Sequence, residues 1–292
     1  MDGVVVLLKP PGMSSNNAVY DVRRIFSEKR AGHTGTLDPG AAGVLPICLG
    51  RATRLFDFFV DKEKTYVAEL AFGASTDTQD AYGAVQARSD AHVARETLVA
   101  ALPQFCGEII QVAPAYSALK VDGRKMYDLA RAGETVPERR RTAFVEEIAI
   151  LEELAPNRFL LRVRCSRGTY VRTLCADIGR AVGVPAHMAF LLRTASGSFD
   201  VQQSWTVAEL EAMREAGTLE RAVLTCEAAL GFLPPLELGA HRRTPAMNGL
   251  PTSTGAPDGA VRLYAGGMFL GVGRVWQGEA RLAVHLYQNG EA

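Results

Sequence analysis

The apolar residues of this chain fall in short runs, and this feature constrains the fold more than any other. The run from Val4 to Leu8 ends at Lys9-Pro10-Pro11, whereas a membrane-spanning helix needs roughly 20 apolar residues. An acid precedes this run, which does not match an export signal. Segments of strand and helix character alternate along the chain and are separated by glycine and proline. We therefore expect a soluble cytoplasmic protein of mixed helix and sheet content.

The composition is typical of a chain with a substantial core. Of 292 residues, 48% are hydrophobic and 22% are charged, and 32 basic residues balance 32 acidic ones. These values exclude a disordered, collagen-like or histone-like chain, but they do not exclude a local basic groove on the surface. No two of the five cysteines form a C-x-x-C pair, so we expect reduced, buried thiols rather than a zinc site.

Local patterns predict a series of strands and helices. Val4–Leu8 predicts a buried strand, and Ser14 or Ser15 can cap a helix that ends near Phe26. Residues 30–43 hold four glycines and a proline, which predicts a loop. Other predicted strands are 44–49, 66–72, 143–154, 158–165, 189–192 and 197–201, and other predicted helices are 52–60, 92–102, 125–132, 170–182, 206–215 and 219–229.

The composition changes near Gly231, which predicts a domain boundary. Pro234-Pro235 suggests a linker, and the apolar runs beyond it are short and separated by glycine turns. We therefore predict a main domain at 1–230 and a small β-domain at 231–292.

The segment Gly32–Gly40 carries the most informative motif. It places His33 and Asp38 among small residues, whose backbone can approach a ligand closely. It lacks the G-K-[ST] ending of a phosphate-binding P-loop. Asp38 precedes a proline, so a plain turn that caps Pro39 is the competing interpretation.

The segment Arg158–Arg172 holds five arginines and no acid. A solvated charged face is one interpretation, although such faces usually mix signs. The other is that a buried arginine from this segment aims Asp38 through a bidentate pair.

Two further segments could contact a ligand. Tyr66 opens a strand and could either pack in the core or form a platform on which a base stacks. An insertion at about 111–141 mixes aromatic side chains with seven basic residues and four acids. It could be a solvated hairpin or a surface that grips RNA. Its candidate contact residues are Tyr116, Lys120, Arg124, Lys125, Tyr127 and Arg139–Arg141.

Taken in order, these motifs resemble the TruB family of tRNA pseudouridine-55 synthases. The matching segments are KPPGMSS, GHTGTLDPGAAGVLPICLG, KTY, PAYSALKVDGRKMYDLAR and SRGTYVRTL, and the resemblance runs over roughly residues 3–230. The resemblance implies an α+β fold with a mixed, largely antiparallel sheet, followed by a small PUA-like β-barrel that binds RNA. It also implies an enzyme that isomerises a T-loop uridine of tRNA with no cofactor and no metal.

The resemblance assigns three catalytic roles. Asp38 matches the family's nucleophile, Tyr66 matches the tyrosine that stacks on the target base and helps to move its C5 proton, and Arg172 matches the arginine that pairs with the aspartate. A carboxylate suits attack on a sugar carbon, and the target base must leave its stack to be reached.

The resemblance also assigns four binding residues. Tyr170 and Leu191 match residues that line the uracil pocket, His33 matches the histidine that supports the flipped-out loop, and Lys9 belongs to the N-terminal motif. Leu191-Leu192-Arg193 departs from the two basic residues that many relatives carry, so one phosphate contact is expected to be missing.

A second hypothesis is an RNA-folding chaperone or ribosome-assembly factor on the same scaffold. Such a protein would use the basic surface without needing Asp38. The presence of Asp38, Tyr66 and Arg172 together favours the enzyme. Its expected partner is the T-arm of tRNA, and we expect a monomer that needs no protein partner and no membrane.

Overall fold

The computed structural model describes residues 1–60, 62–117, 119–121 and 123–287. Ala118 and Asp122 of the predicted insertion lie outside the described residues, as do the side chains of Lys120 and Lys125 and the end of the predicted C-terminal domain, 288–292. The strands are β1 (Gly3–Lys9), β2 (Ala31–His33), β3 (Ala42–Leu49), β4 (Lys64–Phe72), β5 (Ala74–Thr76), β6 (Val85–Arg88), β7 (Gly107–Val112), β8 (Lys120–Val121), β9 (Arg124–Lys125), β10 (Arg140–Ala155), β11 (Arg158–Cys165), β12 (Ala186–Ser196), β13 (Phe199–Asp200), β14 (Val223–Leu224), β15 (Pro235–Leu238), β16 (Thr252–Ser253), β17 (Gly259–Ala265), β18 (Met268–Trp276) and β19 (Glu279–His285). The helices are α1 (Ser15–Phe26), α2 (Phe56–Val60), α3 (Arg95–Ala101), α4 (Met126–Arg131), α5 (Val171–Val182), α6 (Val207–Glu215), α7 (Cys226–Ala229) and α8 (Arg243–Met247).

A ten-stranded sheet organises the larger part of the chain. Its main path runs β14-β1-β3-β12-β4-β11-β10-β7, with β2 beside β3 and β13 beside β12. Within the described strands of this sheet, β3 and β12 form the parallel pair and the other pairs are antiparallel. The expected α+β class with a largely antiparallel sheet is therefore confirmed.

Strand β1 is covered on both of its faces. Val5 and Leu7 pack into one apolar cluster with α1 and α5, while Val4 and Val6 pack into a second cluster on the opposite face. Successive side chains of a strand point to opposite faces, so a strand buried on both sides reads as a continuous apolar run. This is why the run that begins at Val4 was a reliable strand signal.

Helix α1 begins where the sequence predicts. The Ser14 hydroxyl accepts a hydrogen bond from the Asn17 backbone N–H at 3.1 Å, which makes Ser14 the cap. Ser15 is instead buried, and its hydroxyl contacts Leu37. The two adjacent serines thus have different tasks: one starts the helix and the other holds a distant loop.

Several predicted boundaries are wrong. The predicted loop 30–43 contains β2, and the predicted helix 52–60 is a 3₁₀ turn followed by α2. The predicted helix 219–229 is interrupted by β14, whose Val223 and Leu224 pair with β1. Apolar residues that can add a strand to an existing sheet edge override a weak helical pattern, because backbone pairing is decided by tertiary context.

The C-terminal residues form a second, five-stranded sheet in the order β15-β17-β18-β19-β16. The expected linker is partly wrong, because Pro235 begins β15 and this strand runs parallel to β17. Leu230, Val272 and Leu286 share an apolar cluster with Val4 and Val6 of β1. The two sheets are thus joined by apolar packing, and the boundary between 1–230 and 231–292 stays a prediction.

None of the helices within the described ranges is long and apolar enough to cross a membrane.

Candidate active site

A cavity of about 380 Å³ opens beside the loop between β2 and β3. Strands β4 and β12 and the start of α5 form three of its other walls, and residues of α2, β10 and the insertion also line it. Six of the seven residues singled out from the sequence line it, and these are His33, Asp38, Tyr66, Tyr170, Arg172 and Leu191. Its volume is in the range of sites that enclose a small organic group such as a nucleoside.

The loop that carries Asp38 is anchored by the N-terminal turn. The Ser15 hydroxyl donates to the Leu37 carbonyl and accepts from the Leu37 N–H, both at 2.8 Å. The Gly12 N–H donates to the Pro39 carbonyl at 2.8 Å. The residues on either side of Asp38 are thus fixed by backbone contacts, which leaves its carboxylate free to face the cavity.

Lys9 supports the same loop from behind. It is fully buried, and its Nζ donates to the carbonyls of Pro10, Met13 and Pro39 at 2.8, 2.7 and 3.4 Å. Burial lowers the pKa of Lys9 to about 8, which the nearby Asp38 carboxylate partly opposes. The structure therefore places Lys9 beneath the loop, in contact with backbone.

Arg172 and Asp38 form an ion pair between the helix α5 and this loop. The closest atoms are Nε and Oδ2, at 2.9 Å, and Arg172 is only 5% exposed. Its terminal nitrogens donate to the carbonyls of Thr78 (3.0 Å) and Tyr116 (2.9 Å). The pair thus runs through Nε and differs from the expected two-pronged contact, because the terminal nitrogens are engaged by backbone.

Three other arginines of segment 158–172 lie on strand β11 with their side chains in solvent. Arg158 pairs with Glu69, Arg162 with Glu147 and Arg164 with Glu146, at 2.5, 2.9 and 2.6 Å. The solvated interpretation is therefore confirmed for these three residues. The acids that balance them come from β4 and β10, so a count of charges within one segment could not reveal them.

Two walls of the cavity are neighbouring positions in the sheet. Tyr66 of β4 lies opposite Arg193 of β12, and Leu191 lies opposite Ala68. Leu191 is 7% exposed, whereas Tyr66 is partly buried. Burial raises the pKa of Tyr66, so the phenol is protonated at neutral pH.

Tyr170 forms a third wall at the start of α5. The buried side-chain amide of Gln111 accepts from the Tyr170 N–H (2.9 Å) and donates to the Tyr170 carbonyl (3.1 Å). The Arg141 guanidinium lies over the Tyr170 ring, 5.7 Å from its centre. Gln111 was not expected from the sequence, because an amide in a β-edge segment gives no signal of its own.

His33 completes the set at the end of β2. Burial lowers its pKa, and the Arg193 cation lowers it further. Its Nδ1 is buried without a hydrogen-bond partner among the described residues. His33 is therefore a neutral imidazole at pH 7 that faces the cavity.

Arg193 is the main residue of the site to which sequence reasoning gave no role. It was considered only because the Leu191-Leu192-Arg193 segment was expected to lack one phosphate contact, whereas the structure shows that Arg193 is 1% exposed and donates to backbone carbonyls around the Asp38 loop. The sequence did contain a signal that Arg193 belongs to the site. Leu191 was predicted to line the pocket, and Arg193 follows it by two residues on the same strand, so the two side chains share a face.

Two family models match the chain. The one described as TruB family pseudouridylate synthase (N terminal domain) matches residues 23–171, and the one described as tRNA pseudouridylate synthase B C-terminal domain matches 172–231.

Curated relatives extend this similarity over most of the chain. The tRNA pseudouridine synthase B of Pelotomaculum thermopropionicum is 46% identical over 239 residues, which cover 80% of this chain and 76% of that protein. The protein of the same name from Dechloromonas aromatica is 42% identical over 279 residues, which cover 95% and 93%.

Solved structures share the fold. A chain of a Cbf5-Nop10-Gar1 complex superposes with a TM-score of 0.72 at 29% identity, covering 93% of this chain and 78% of that one. A chain of an H/ACA RNP bound to a substrate RNA containing 2'-deoxyuridine gives 0.71 at 28% identity, covering 93% and 77%. The chain therefore belongs to the TruB family of pseudouridylate synthases.

Proposed function

We propose that this protein converts the T-loop uridine at position 55 of tRNA to pseudouridine. The observation that carries the proposal is the ion pair of Asp38 and Arg172 at a cavity walled by Tyr66, Tyr170 and Leu191. An anionic nucleophile beside flat and apolar walls suits chemistry on a nucleobase and its sugar. The relatives named tRNA pseudouridine synthase B support the choice of RNA.

The reaction begins with extrusion of the uridine. A stacked base is out of reach of Asp38, so the nucleotide must flip into the cavity at a cost of about a few kcal/mol. The Tyr66 ring and the Leu191 side chain recover part of this free energy by packing against the uracil. His33 lines the same cavity and supports the displaced loop.

The isomerisation exchanges one glycosidic bond for another. The carboxylate of Asp38 attacks C1′ of the ribose as the bond from C1′ to N1 breaks, which leaves the uracil as an anion. The uracil then turns within the cavity, and C5 bonds to C1′ as the bond from C1′ to the Asp38 carboxylate breaks and the free carboxylate is restored. The C5 proton is lost with the help of Tyr66 and N1 gains a proton, so the product is an isomer and no redox cofactor is consumed.

The finer assignments follow from the same proposal. The insertion at 111–141 grips the T-arm, and the sheet at 235–285 serves as a PUA-like RNA-binding domain. The enzyme acts as a cytoplasmic monomer without a protein partner. A chaperone on this scaffold would need the basic surface but no paired carboxylate in a cavity, which is why the enzyme is preferred.

The test is position-specific release of tritium from tRNA that carries [5-³H]uridine. We expect about one equivalent of tritium from a transcript with uridine at position 55 and none from the matched transcript with cytidine there. Binding of both transcripts with no release from either would overturn the proposal in favour of an RNA chaperone. Release from the cytidine transcript would overturn the choice of position.

A further inference from the structure

Arg193 is a cation that the fold buries almost completely. Its side chain is 1% exposed, although it lies within a strand of the central sheet. Among the described residues, no carboxylate forms an ion pair with it. A buried charge is expensive unless several hydrogen bonds satisfy it, so the groups that Arg193 binds are informative.

Those groups belong to three separate elements. Nε donates to the Val44 carbonyl at 2.7 Å in β3, and Nη2 donates to the Gly35 carbonyl at 3.0 Å in the loop that leads to Asp38. A longer contact joins Nη1 to the Thr36 carbonyl at 3.4 Å. Tyr66 of β4 lies directly opposite Arg193 in the sheet, and the guanidinium interacts with its phenol.

The backbone of Arg193 is held as firmly as its side chain. Arg193 pairs with Gly43 where β12 runs parallel to β3. Gly43 has φ of 120°, and a Cβ there would overlap the Arg193 backbone. The close approach of the two strands therefore requires glycine at this position, and it fixes the point from which the arginine side chain extends.

From this geometry, and resting on the function proposed above, we propose that Arg193 is a positioning residue that fixes the Asp38 loop and the Tyr66 phenol relative to each other. The planar fork of an arginine holds several acceptors in one arrangement, which a lysine cannot do. A displacement of reacting groups by 1 Å can reduce a rate by about 10²-fold. Arg193 therefore acts on the reaction through the two residues it holds, and it does not bind RNA phosphate.

The test compares Arg193→Lys with the wild type under single-turnover conditions. We expect the rate at saturating tRNA to fall by about 10²-fold, while the Kd for tRNA and its dependence on salt stay within about twofold. Arg162→Lys is the matched control, because Arg162 is an exposed sheet arginine paired with Glu147, and its rate should not change. A larger Kd for tRNA together with a shallower dependence of binding on salt would identify Arg193 as a phosphate contact and overturn the proposal.

A second measurement does not depend on activity. Amide hydrogen exchange in 34–38 should accelerate in Arg193→Lys, whereas exchange in α1 should not. Unchanged exchange in this loop would overturn the proposal. Failure of both Arg193→Lys and Arg193→Gln to fold would also overturn it, because Arg193 would then be needed for the stability of the core. Absence of product from the wild type would instead overturn the proposed function and leave this exchange result to decide the role of Arg193.

Discussion

Nε of Arg172 lies 2.9 Å from Oδ2 of Asp38, although Arg172 is 5% exposed and the Asp38 side chain is 40% exposed. The interior of the protein thus supplies a fixed cation to a carboxylate that stays open to a ligand. Because Arg172 sits in the first turn of α5 and Asp38 in the loop before β3, the ion pair also joins two distant segments of the chain.

The first prediction concerns the carboxylate of Asp38. Asp38→Asn keeps the size of the side chain and removes the nucleophile, so we expect pseudouridine formation to fall by at least about 10³-fold. The Kd for tRNA should stay within about threefold, and the melting temperature should stay within a few degrees. The matched control is Asp90→Asn, an exposed acid outside the cavity, which should be fully active. Normal product formation by Asp38→Asn would mean that another group attacks the sugar.

The second prediction concerns Arg172, which contacts Asp38, the carbonyls of Thr78 and Tyr116 and, at 3.9 Å, the Asp80 carboxylate. A lysine can reach Asp38 or the carbonyls of Thr78 and Tyr116, but not all of them at once. We expect Arg172→Lys to lose about 10²-fold in single-turnover rate and about 1–3 kcal/mol in the free energy of unfolding. Denaturant titration and tritium release measure the two effects.

The control for Arg172 is Arg180→Lys on the same helix. Arg180 is 68% exposed and pairs with Asp177, so its substitution should change the free energy of unfolding by less than about 0.5 kcal/mol. If Arg172→Lys were as active as Arg180→Lys, the ion pair with Asp38 would have no part in the reaction.

Much of the fold could be predicted because its signals are local. The Ser14 cap, the apolar run of β1 and the Asp-Pro turn each depend on residues close together in sequence. The same is true of Asp38 and His33, which share one loop. Local patterns failed at β14, because Leu224 is a strand residue only when β1 lies beside it.

The parts of the site that could not be predicted depend on contacts between distant segments. Gln111 clamps the backbone of Tyr170, and the acids that balance Arg162 and Arg164 come from the neighbouring strand β10. Arg193 donates to Gly35, more than 150 residues earlier in the chain. The register of the sheet decides each of these contacts, and one sequence does not contain that register in a local pattern.

The third prediction concerns the pH dependence of stability that Lys9 produces. The pKa of Lys9 is about 8 in the folded protein, below its ordinary value of 10.5. Between these two values the unfolded chain holds one more proton than the folded chain, so the contribution of Lys9 to stability rises with pH across this window and is constant below it. The slope for one proton is at most about 1.4 kcal/mol per pH unit.

Denaturant titrations at pH 7.5, 8.5 and 9.5 measure this slope. The free energy of unfolding of the wild type should rise relative to that of Lys9→Met, in which position 9 does not titrate. Parallel curves for the two proteins across this range would show that Lys9 keeps an ordinary pKa.

The fourth prediction concerns the basic end of the insertion. Arg139 and Arg140 are exposed at the start of β10, so replacing both with glutamine should not affect the core. If they contact phosphates of the T-arm, tRNA binding should weaken, and the slope of log K against log salt should become shallower by up to about 1.5. The control is Arg164→Gln, which removes one exposed charge that Glu146 already pairs. Equal salt slopes for the wild type and the double variant would exclude these two arginines from the RNA surface.

The last prediction concerns the C-terminal sheet. Residues 231–292 hold five basic and four acidic residues, so this part offers little general attraction for phosphate. It does cover the core, because Val272 and Leu286 pack with Val4, Val6 and Leu230. A chain that ends at Leu230 should therefore melt at least about 5 °C lower than the whole protein.

Its activity separates this structural role from a role in RNA binding. Every residue of the candidate site precedes position 200, so below its melting temperature the shortened chain should still modify an isolated T-arm hairpin and bind whole tRNA more weakly. The matched control is full-length Val272→Ala, which loosens the same cluster but keeps the C-terminal sheet. This variant should lose stability without losing affinity for tRNA. The loop of Asp38 leads directly into β3, and Val44 of β3 belongs to the cluster that the C-terminal sheet covers. If the shortened chain is folded by circular dichroism but inactive on the hairpin, the C-terminal sheet therefore shapes the active site through this strand.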